Sequence, residues 1–153
     1  MTGPKTARFY NLGAMRVLIV GCGRVGSQLA MEMSKEGHDV TIVDRDPAAF
    51  AKAAARGVLG TNFGGNEMVG DGIDAEILKR AGVENADVFI AVTEGDNRNI
   101  MASQIAQHVY KVPKVICRIY DPEREQAYKS LGLNTICPTI EGTEKIMHMI
   151  GER

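Results

Sequence analysis

The amino-acid sequence predicts an α/β fold of the doubly wound type, built on a six-stranded parallel sheet with the strand order 3-2-1-4-5-6. Short runs of β-branched and aliphatic residues alternate along the chain with longer segments of helical periodicity. The first of these runs ends in a glycine-rich turn that opens a helix. Apolar residues make up 44% of the 153 residues, enough for the core of one domain.

The strands are predicted from their short apolar runs. The first is Val17-Leu18-Ile19-Val20, which stops at Gly21 and has the composition of a buried parallel strand. The remaining strands are predicted at residues 39–43, 67–69, 88–92, 115–119 and 135–136. Each is followed by a helical segment, as parallel strands in one sheet require.

The helices are predicted from apolar spacing and from their end signals. The first, over residues 24–35, has Val25, Leu29 and Met33 at helical spacing and is closed by Gly37. Pro47 suits the first turn of the second helix, and Asp74 is the predicted cap of the third. The full set of predicted helices is 24–35, 47–56, 75–81, 97–109, 123–131 and 141–150.

Composition excludes several classes of partner. The formal net charge is −1 and no long Lys/Arg run occurs, which argues against nucleic acid and against an electrostatic membrane anchor. No apolar stretch approaches the roughly 20 residues of a membrane-spanning helix, so direct membrane insertion is not expected. We expect Cys22, Cys117 and Cys137 to be small buried hydrophobes in a reducing compartment, with a reactive thiol at Cys22 in the glycine turn as the alternative. The three histidines share no metal-ligand spacing and are expected at the surface.

The glycine-rich turn, Gly21-Cys22-Gly23-Arg24-Val25-Gly26, is a G-x-G-x-x-G motif between a strand and a helix. In this context it predicts a Rossmann-type nucleotide site. Gly21 would permit the tight turn, Gly23 the approach of a pyrophosphate, and Gly26 close packing of helix on strand. Free N–H groups and the helix dipole would then bind the phosphates. The alternative, a glycine-rich turn without a ligand, is less favoured.

Charged residues near this turn extend the prediction. Asp44 ends the second strand, where an acid accepts hydrogen bonds from ribose hydroxyls and disfavours the 2′-phosphate of NADP; Arg45 beside it weakens that exclusion. Asp44 could instead only cap the next turn. Arg24 opposes the helix dipole, so we expect it to meet a phosphate, with a solvated side chain as the alternative.

Three further strands end in polar residues. Asp71 and Gly72 follow the third strand, Thr93 the fourth, and Arg118 lies near the end of the fifth. Because the carboxyl ends of parallel strands share one edge, these residues together predict a ligand site there. Neither a Tyr-x-x-x-Lys pair nor a Ser/His/Asp set is evident, and the sheet consumes most of the chain. We therefore expect a binding module without catalytic residues, not an enzyme.

The combination of motifs resembles the TrkA-N, or RCK N-terminal, domain of potassium-uptake regulators. The resemblance covers residues 15–150 and rests on the glycine turn, Gly-Asp after the third strand, Ala-Gly-Val before Ala-Asp, Ala-Val-Thr, and an Asn opening the next helix. It implies a nucleotide-binding domain that binds NAD(H) or ATP, ADP or AMP. Carried over by position, the implied contacts are Gly21, Gly23, Arg24, Gly26, Asp44, Asp71, Thr93 and Arg118.

The resemblance also implies a role and partners. Such domains are cytoplasmic, form homodimers or higher rings, and gate a separate membrane potassium transporter or channel at the inner face of the membrane. A minimal NAD-dependent oxidoreductase and a nucleotide-binding scaffold unrelated to ion transport are the alternatives. The C-terminal ligand domain usual in the family does not follow here, which suggests either a truncated chain or a one-domain partner of another subunit.

Three segments are expected along the chain. Residues 1–14 are polar and irregular, and are interpreted as a leader or mobile arm. Residues 15–140 form the Rossmann domain. Residues 141–153 form a terminal crossover helix, in which Ile146, Met149 and Ile150 recur at helical spacing beside Met147. We expect this apolar stripe to join two copies of the chain, with packing inside one chain as the alternative.

Overall fold

A single parallel sheet organises the chain, with its strands connected by helices on both faces. The computed structural model describes residues 13–152. Its strands are β1 (Arg16–Val20), β2 (Asp39–Asp44), β3 (Asn66–Val69), β4 (Val88–Ala91), β5 (Lys114–Arg118) and β6 (Thr135–Ile136). Their order is β3-β2-β1-β4-β5-β6 and every pair is parallel. The predicted fold class and strand order are therefore confirmed.

Six α-helices connect or follow the strands. They are α1 (Arg24–Lys35), α2 (Pro47–Ala55), α3 (Ala75–Arg80), α4 (Asp96–Gln104), α5 (Pro122–Ser130) and α6 (Pro138–Gly151). Asp46, Asp74 and Asp121 cap α2, α3 and α5 by accepting a hydrogen bond from a backbone N–H two residues later. Short 3₁₀ turns lie at Gly60–Asn62 and Val83–Asn85.

The sheet separates two apolar layers. Alternate strand residues such as Ile19 and Ile42 pack under α1 and α2, while Leu18 and Phe89 pack on the opposite face under α3 and α4. These four side chains are at most 1% exposed. Strands buried on both faces must be apolar along their whole length, which explains the continuous runs in the sequence. The carboxyl edge of β1 lies between β2 and β4, at the topological switch point.

Some sequence predictions were wrong in detail. Of the three apolar residues at helical spacing in α1, Met33 is buried and Leu29 is partly buried, but Val25 is 47% exposed. The other buried residues of α1 are Gly26, Ser27, Ala30 and Met31. His38 is buried, not at the surface, and its Nδ1 accepts a hydrogen bond from Met15 N. The predicted helix over residues 97–109 is α-helical only to Gln104 and continues as a π-helix over Ile105–Val109.

The two ends of the chain can be compared with expectation only in part. The predicted leader lies largely outside the described residues, which begin at Gly13. The terminal helix begins at Pro138, three residues before the predicted start, because proline suits the first turn of a helix. Among residues 13–152, no helix combines the length and the apolar character needed to cross a membrane.

Candidate nucleotide-binding site

The three glycines of the turn between β1 and α1 have different surroundings. Gly21 has φ of 116°, and a Cβ there would lie 2.7 Å from the carbonyl carbon of Val92. A Cβ on Gly26 would overlap the carbonyl oxygen of Gly21. A Cβ on Gly23, by contrast, would meet no atom within 4 Å. Gly21 and Gly26 are therefore required by packing and backbone conformation, whereas the absence of a side chain at Gly23 keeps a space open.

The first turn of α1 faces this space with unused hydrogen-bond donors. Gly23 is the N-cap of α1 and provides no side chain to accept from the N–H groups of the first turn. The helix dipole adds positive potential at the same point. Ser27 Oγ donates to Gly23 O at 2.6 Å and so fixes the turn from within the helix. The arrangement is complementary to an anion placed above Gly23.

Asp44 joins the glycine turn to the start of α2. Its Oδ2 accepts from Cys22 N at 2.7 Å, and its Oδ1 accepts from Asp46 N at 2.9 Å. The capping role considered as an alternative is thus present. It leaves acceptor capacity on the carboxylate, because each oxygen can accept more than one hydrogen bond. Asp44 is half-buried and lines the open cleft, so it remains available to hydroxyl groups of a ligand.

A cleft of about 710 Å³ lies along the carboxyl edge of the sheet, between the glycine turn and the loop after β4. Its basic residues are Arg24, Arg45, Lys52, Arg56, Arg98 and Arg118, and its acidic residues are Asp44, Asp46 and Glu94. Among the described residues Arg24, Arg45 and Lys52 take part in no ion pair. A cleft with excess positive charge favours an anionic ligand.

The far side of the cleft is held by a buried amide. Asn99 is fully buried, and its Oδ1 accepts from Thr93 N at 2.8 Å and from Thr93 Oγ1 at 2.6 Å. Its Nδ2 donates to the carbonyl oxygens of Thr93 and Arg118, both at 2.9 Å. Asn99 therefore fixes the ends of β4 and β5 relative to α4, and it sets the position of the loop that forms the cleft wall.

Arg118 contributes both to this framework and to the cleft. Its Nη2 donates to Val92 O at 2.9 Å and to Thr93 O at 3.0 Å. Its guanidinium carbon lies 4.7 Å from the ring centroid of Tyr120. The Nε atom is buried without a hydrogen-bond partner among the described residues. Much of the hydrogen-bonding capacity of Arg118 is thus used to hold the end of β4.

Nine of the twelve predicted site residues line the cleft. These are Gly21, Cys22, Gly23, Arg24, Val25, Asp44, Arg45, Thr93 and Arg118. Gly26 lies beneath the glycine turn, and Gly72 packs against Val20. Asp71 lies outside the cleft lining and forms an ion pair with Arg98, which does line it. The structure thus brings most of the predicted residues together in one cleft, and their role in ligand binding stays a prediction.

Sequence reasoning missed several lining residues. Lys52 lies in α2 and Arg56 just beyond it, four residues apart and thus on one face of the helix. They are the only cations of the alanine-rich segment 47–56, and this pattern could have indicated a binding surface. Arg98 and Tyr120 follow β4 and β5 but were not singled out. Their positions after adjacent strands would have been sufficient to add them.

The cysteines behave as buried apolar residues. All three are free and buried, as predicted. Burial, together with the negative charge of Asp44 and Glu67, raises the pKa of the Cys22 thiol to about 12. Burial is also the main reason that the pKa of Cys117 rises to about 11. A thiol that stays protonated is a poor nucleophile, so Cys22 contributes shape and not reactivity to the glycine turn. No cluster of His, Cys, Asp or Glu suited to a metal ion occurs within residues 13–152.

Comparison with known proteins identifies the family. The model of the TrkA-N domain matches residues 17–138, which include the glycine turn, the cleft lining, strands β2 to β6 and all of β1 except Arg16. The chain belongs to the TrkA-N domain family. The family resemblance predicted from the motifs is therefore confirmed, and the matched segment contains every residue that lines the cleft.

Two curated relatives carry the same domain. The Trk system potassium uptake protein TrkA of Streptomyces coelicolor is 44% identical over 122 residues, which are 80% of this chain and 52% of that protein. The TrkA homolog of Methanothermobacter thermautotrophicus is 34% identical over 122 residues, covering 80% of this chain and 53% of that protein. The chain thus spans about half the length of the curated relatives it matches.

Solved structures share the fold at low sequence identity. The Kef CTD of Shewanella denitrificans in its AMP-bound form has a TM-score of 0.71 at 19% identity, over 90% of this chain and 82% of that one. The GsuK RCK domain has a TM-score of 0.68 at 18% identity, over 86% of this chain and 27% of that one. The GsuK channel gives 0.64 at 18% identity, over 82% and 21%. These similarities establish the fold.

Proposed function

We propose that this TrkA-N domain binds an adenine nucleotide across the carboxyl edge of its sheet and that its occupancy regulates a separate membrane potassium pore. The observation that carries the binding proposal is the open space above Gly23, bordered by the unused donors of α1. Packing explains Gly21 and Gly26 without a ligand, but it does not explain Gly23. A phosphate group placed there accounts for the missing side chain and for the uncapped helix.

The rest of the cleft suits a nucleoside attached to that phosphate. Asp44, at the end of β2, is placed to accept hydrogen bonds from ribose hydroxyls. Arg24 opens α1 without an ion-pair partner among the described residues, and we propose that it binds the phosphate chain. The ligand classes are NAD(H) and ATP, ADP or AMP. The AMP-bound state of the similar Kef CTD supports an adenine nucleotide.

The regulatory part of the proposal rests on the relatives. Both curated relatives are potassium uptake proteins of the Trk system, and the GsuK channel contains a domain of the same fold. We propose that this chain also takes part in potassium transport, at the inner face of the membrane, as a regulator of a transporter or channel subunit. A nucleotide that binds more tightly to one of two conformations of the assembly would shift the equilibrium towards that conformation.

We propose that binding occurs without turnover. The thiol of Cys22 in the glycine turn is kept protonated by burial and by the charge of Asp44, so it is a poor nucleophile. A minimal oxidoreductase would produce NADH steadily from NAD⁺ with one of a broad set of alcohols and hydroxy acids. Turnover that Gly23→Val abolishes would contradict this part of the proposal.

Assembly through the terminal helix completes the proposal. No residue of α6 is buried, and Ile146, Met147, Met149 and Ile150 are each at least 59% exposed. Such a stripe is unfavourable in water and favourable in an interface. Sedimentation equilibrium at micromolar concentration should give a homodimer at least, and deletion of residues 141–153 should give a monomer. A wild-type monomer, with or without nucleotide, would refute the assembly.

Mass spectrometry of ligand released from purified protein tests the nucleotide class, together with calorimetric titration of NAD⁺, NADH, ATP, ADP and AMP. We expect an adenine nucleotide in the released fraction and saturable binding of at least one of the five. If a tenfold excess of a guanine nucleotide displaced the bound adenine nucleotide as well as a tenfold excess of an adenine nucleotide does, adenine specificity would be contradicted. Failure of all five to bind at millimolar concentration would overturn the proposed function.

A further inference from the structure

Arg98 joins two loops at the carboxyl edge of the sheet, beside the cleft. It lies in the first turn of α4, lines the cleft, and forms an ion pair with Asp71, which follows β3. In the sheet, β4 and β3 are separated by β1 and β2. Adjacent strands lie about 4.8 Å apart, so the two elements are roughly 14 Å apart at the level of the sheet. The side chains of Arg98 and Asp71 therefore meet over the carboxyl ends of the intervening strands.

Both ends of this bridge are fixed by their surroundings. The backbone of Arg98 precedes Asn99, which is fully buried and hydrogen-bonded to the ends of β4 and β5. Asp71 Oδ1 also accepts from Ile73 N at 3.2 Å, and Asp71 O accepts from Asp74 N at 3.0 Å. The guanidinium thus has a set position at the cleft wall.

The charge state of the pair is stable over the physiological range. Partial burial by itself would raise the pKa of the Asp71 carboxyl. The hydrogen bonds from Arg98 and from Ile73 N–H, together with the charges of Arg98 and Arg45, outweigh the effect of burial, and the pKa of Asp71 lies below its usual value. Asp71 therefore remains ionised and keeps the guanidinium engaged at neutral pH.

We propose that Arg98 forms the wall against which the adenine base packs, and that Asp71 is a positioning residue that holds the guanidinium there. The inference rests on the proposed nucleotide site. It assigns Asp71, which the family resemblance implies as a direct contact, a role through Arg98. A planar guanidinium offers a flat face to an aromatic base, which the ammonium group of a lysine does not. The base is common to all adenine nucleotides, so this contact is independent of phosphate number.

The test is a calorimetric comparison of AMP, ADP and ATP binding to the wild type, Arg98→Met, Arg98→Lys, Asp71→Asn and the double variant of Arg98→Met with Asp71→Asn. We expect Arg98→Met to lower all three affinities by the same factor, roughly 3- to 30-fold. Arg98→Lys should not restore them. Asp71→Asn should lower affinity in the wild type but not in the Arg98→Met background, because both changes remove one contact.

The contradicting results are distinct. A loss that grows from AMP to ATP would assign Arg98 to the phosphates, and recovery in Arg98→Lys would reduce its role to charge; either overturns the proposal. If the losses of affinity in Arg98→Met and Asp71→Asn add up in the double variant, Asp71 does not act through Arg98, and its proposed positioning role is overturned. Thermal unfolding of the unliganded variants shows whether a substitution affects the structure itself. If Arg98→Met lowers the melting temperature, Arg98→Lys serves as the second variant, because lysine keeps a cation opposite Asp71. Wild-type protein that binds no nucleotide would instead refute the proposed function itself.

Discussion

Replacing Gly23 by serine should separate the stability of the glycine turn from its function. Gly23 is the N-cap of α1 with φ of −85° and ψ of −158°, a conformation open to serine, and a Cβ there meets no atom within 4 Å. Serine is a better N-cap than glycine by a few tenths of a kcal/mol. We therefore expect the free energy of unfolding to stay unchanged or to rise by about that amount.

The same substitution should weaken nucleotide binding. The serine hydroxyl would accept from the N–H groups of the first turn of α1, and the side chain would occupy the space proposed for phosphate. Loss of one charge-assisted hydrogen bond amounts to about 1.5–3 kcal/mol, or roughly 10- to 150-fold in affinity. Calorimetric titration with ADP and urea unfolding of the unliganded protein measure the two effects separately.

Gly26→Ala is the matched contrast. A Cβ at this position would overlap the Gly21 carbonyl oxygen, so the turn must move, and we expect destabilisation of about 1–3 kcal/mol or more. If Gly23→Ser binds ADP as tightly as the wild type, the phosphate does not lie above Gly23. If Gly23→Ser destabilises the fold as much as Gly26→Ala, the open space inferred from the structure is wrong.

Three further predictions concern the cleft and the buried thiols. Asp44→Ala should weaken nucleotide binding by about 1.5–3 kcal/mol through loss of hydrogen bonds to ribose, and unchanged affinity in calorimetry would reject that role. Arg24→Ala should lower the affinity for ATP more than for ADP, and for ADP more than for AMP; equal losses would show that Arg24 does not read the terminal phosphate. The pKa values of Cys22 and Cys117 in the folded protein, about 12 and about 11, lie above their ordinary value of 9.0. The contribution of these thiols to the free energy of unfolding is therefore fully present below pH 9 and falls as the pH rises towards 11–12. Thiol alkylation at pH 8 should accordingly be slow in the folded protein and fast in urea, and equal rates would contradict the burial of these thiols.

The sheet could be predicted because its determinants are local. The apolar run of β1 and the proline at the start of α2 each act within a few residues, and their elements were predicted to within one residue at the start. The bounds of α1, Arg24–Lys35, agree at both ends. Val25 shares helical spacing with Leu29 and Met33, but it lines the cleft and is 47% exposed, because the face of α1 that packs on the sheet begins at Gly26.

The details of the site depend on contacts between residues distant in sequence. Asn99 reaches Arg118 across 19 residues, and Arg98 reaches Asp71 across 27. Motif spacing placed polar residues at one edge of the sheet, but it could not specify which of them would pair with each other. For that reason Asp71 was expected in the cleft lining, whereas the structure presents its partner Arg98 there.

The central claim is that an adenine nucleotide binds at the carboxyl edge of the sheet, and amide chemical-shift mapping of the isotope-labelled protein tests it most directly. On titration with ADP, the largest shifts should fall on the backbone N–H groups of residues 22–26 and 93–98, on both sides of the 710 Å³ cleft. A smaller cavity of about 190 Å³ at the opposite edge, lined by residues that include Arg16, Asp39 and Asn85, serves as the internal control. Saturable shifts confined to that second cavity, or none at millimolar ADP, would contradict the account.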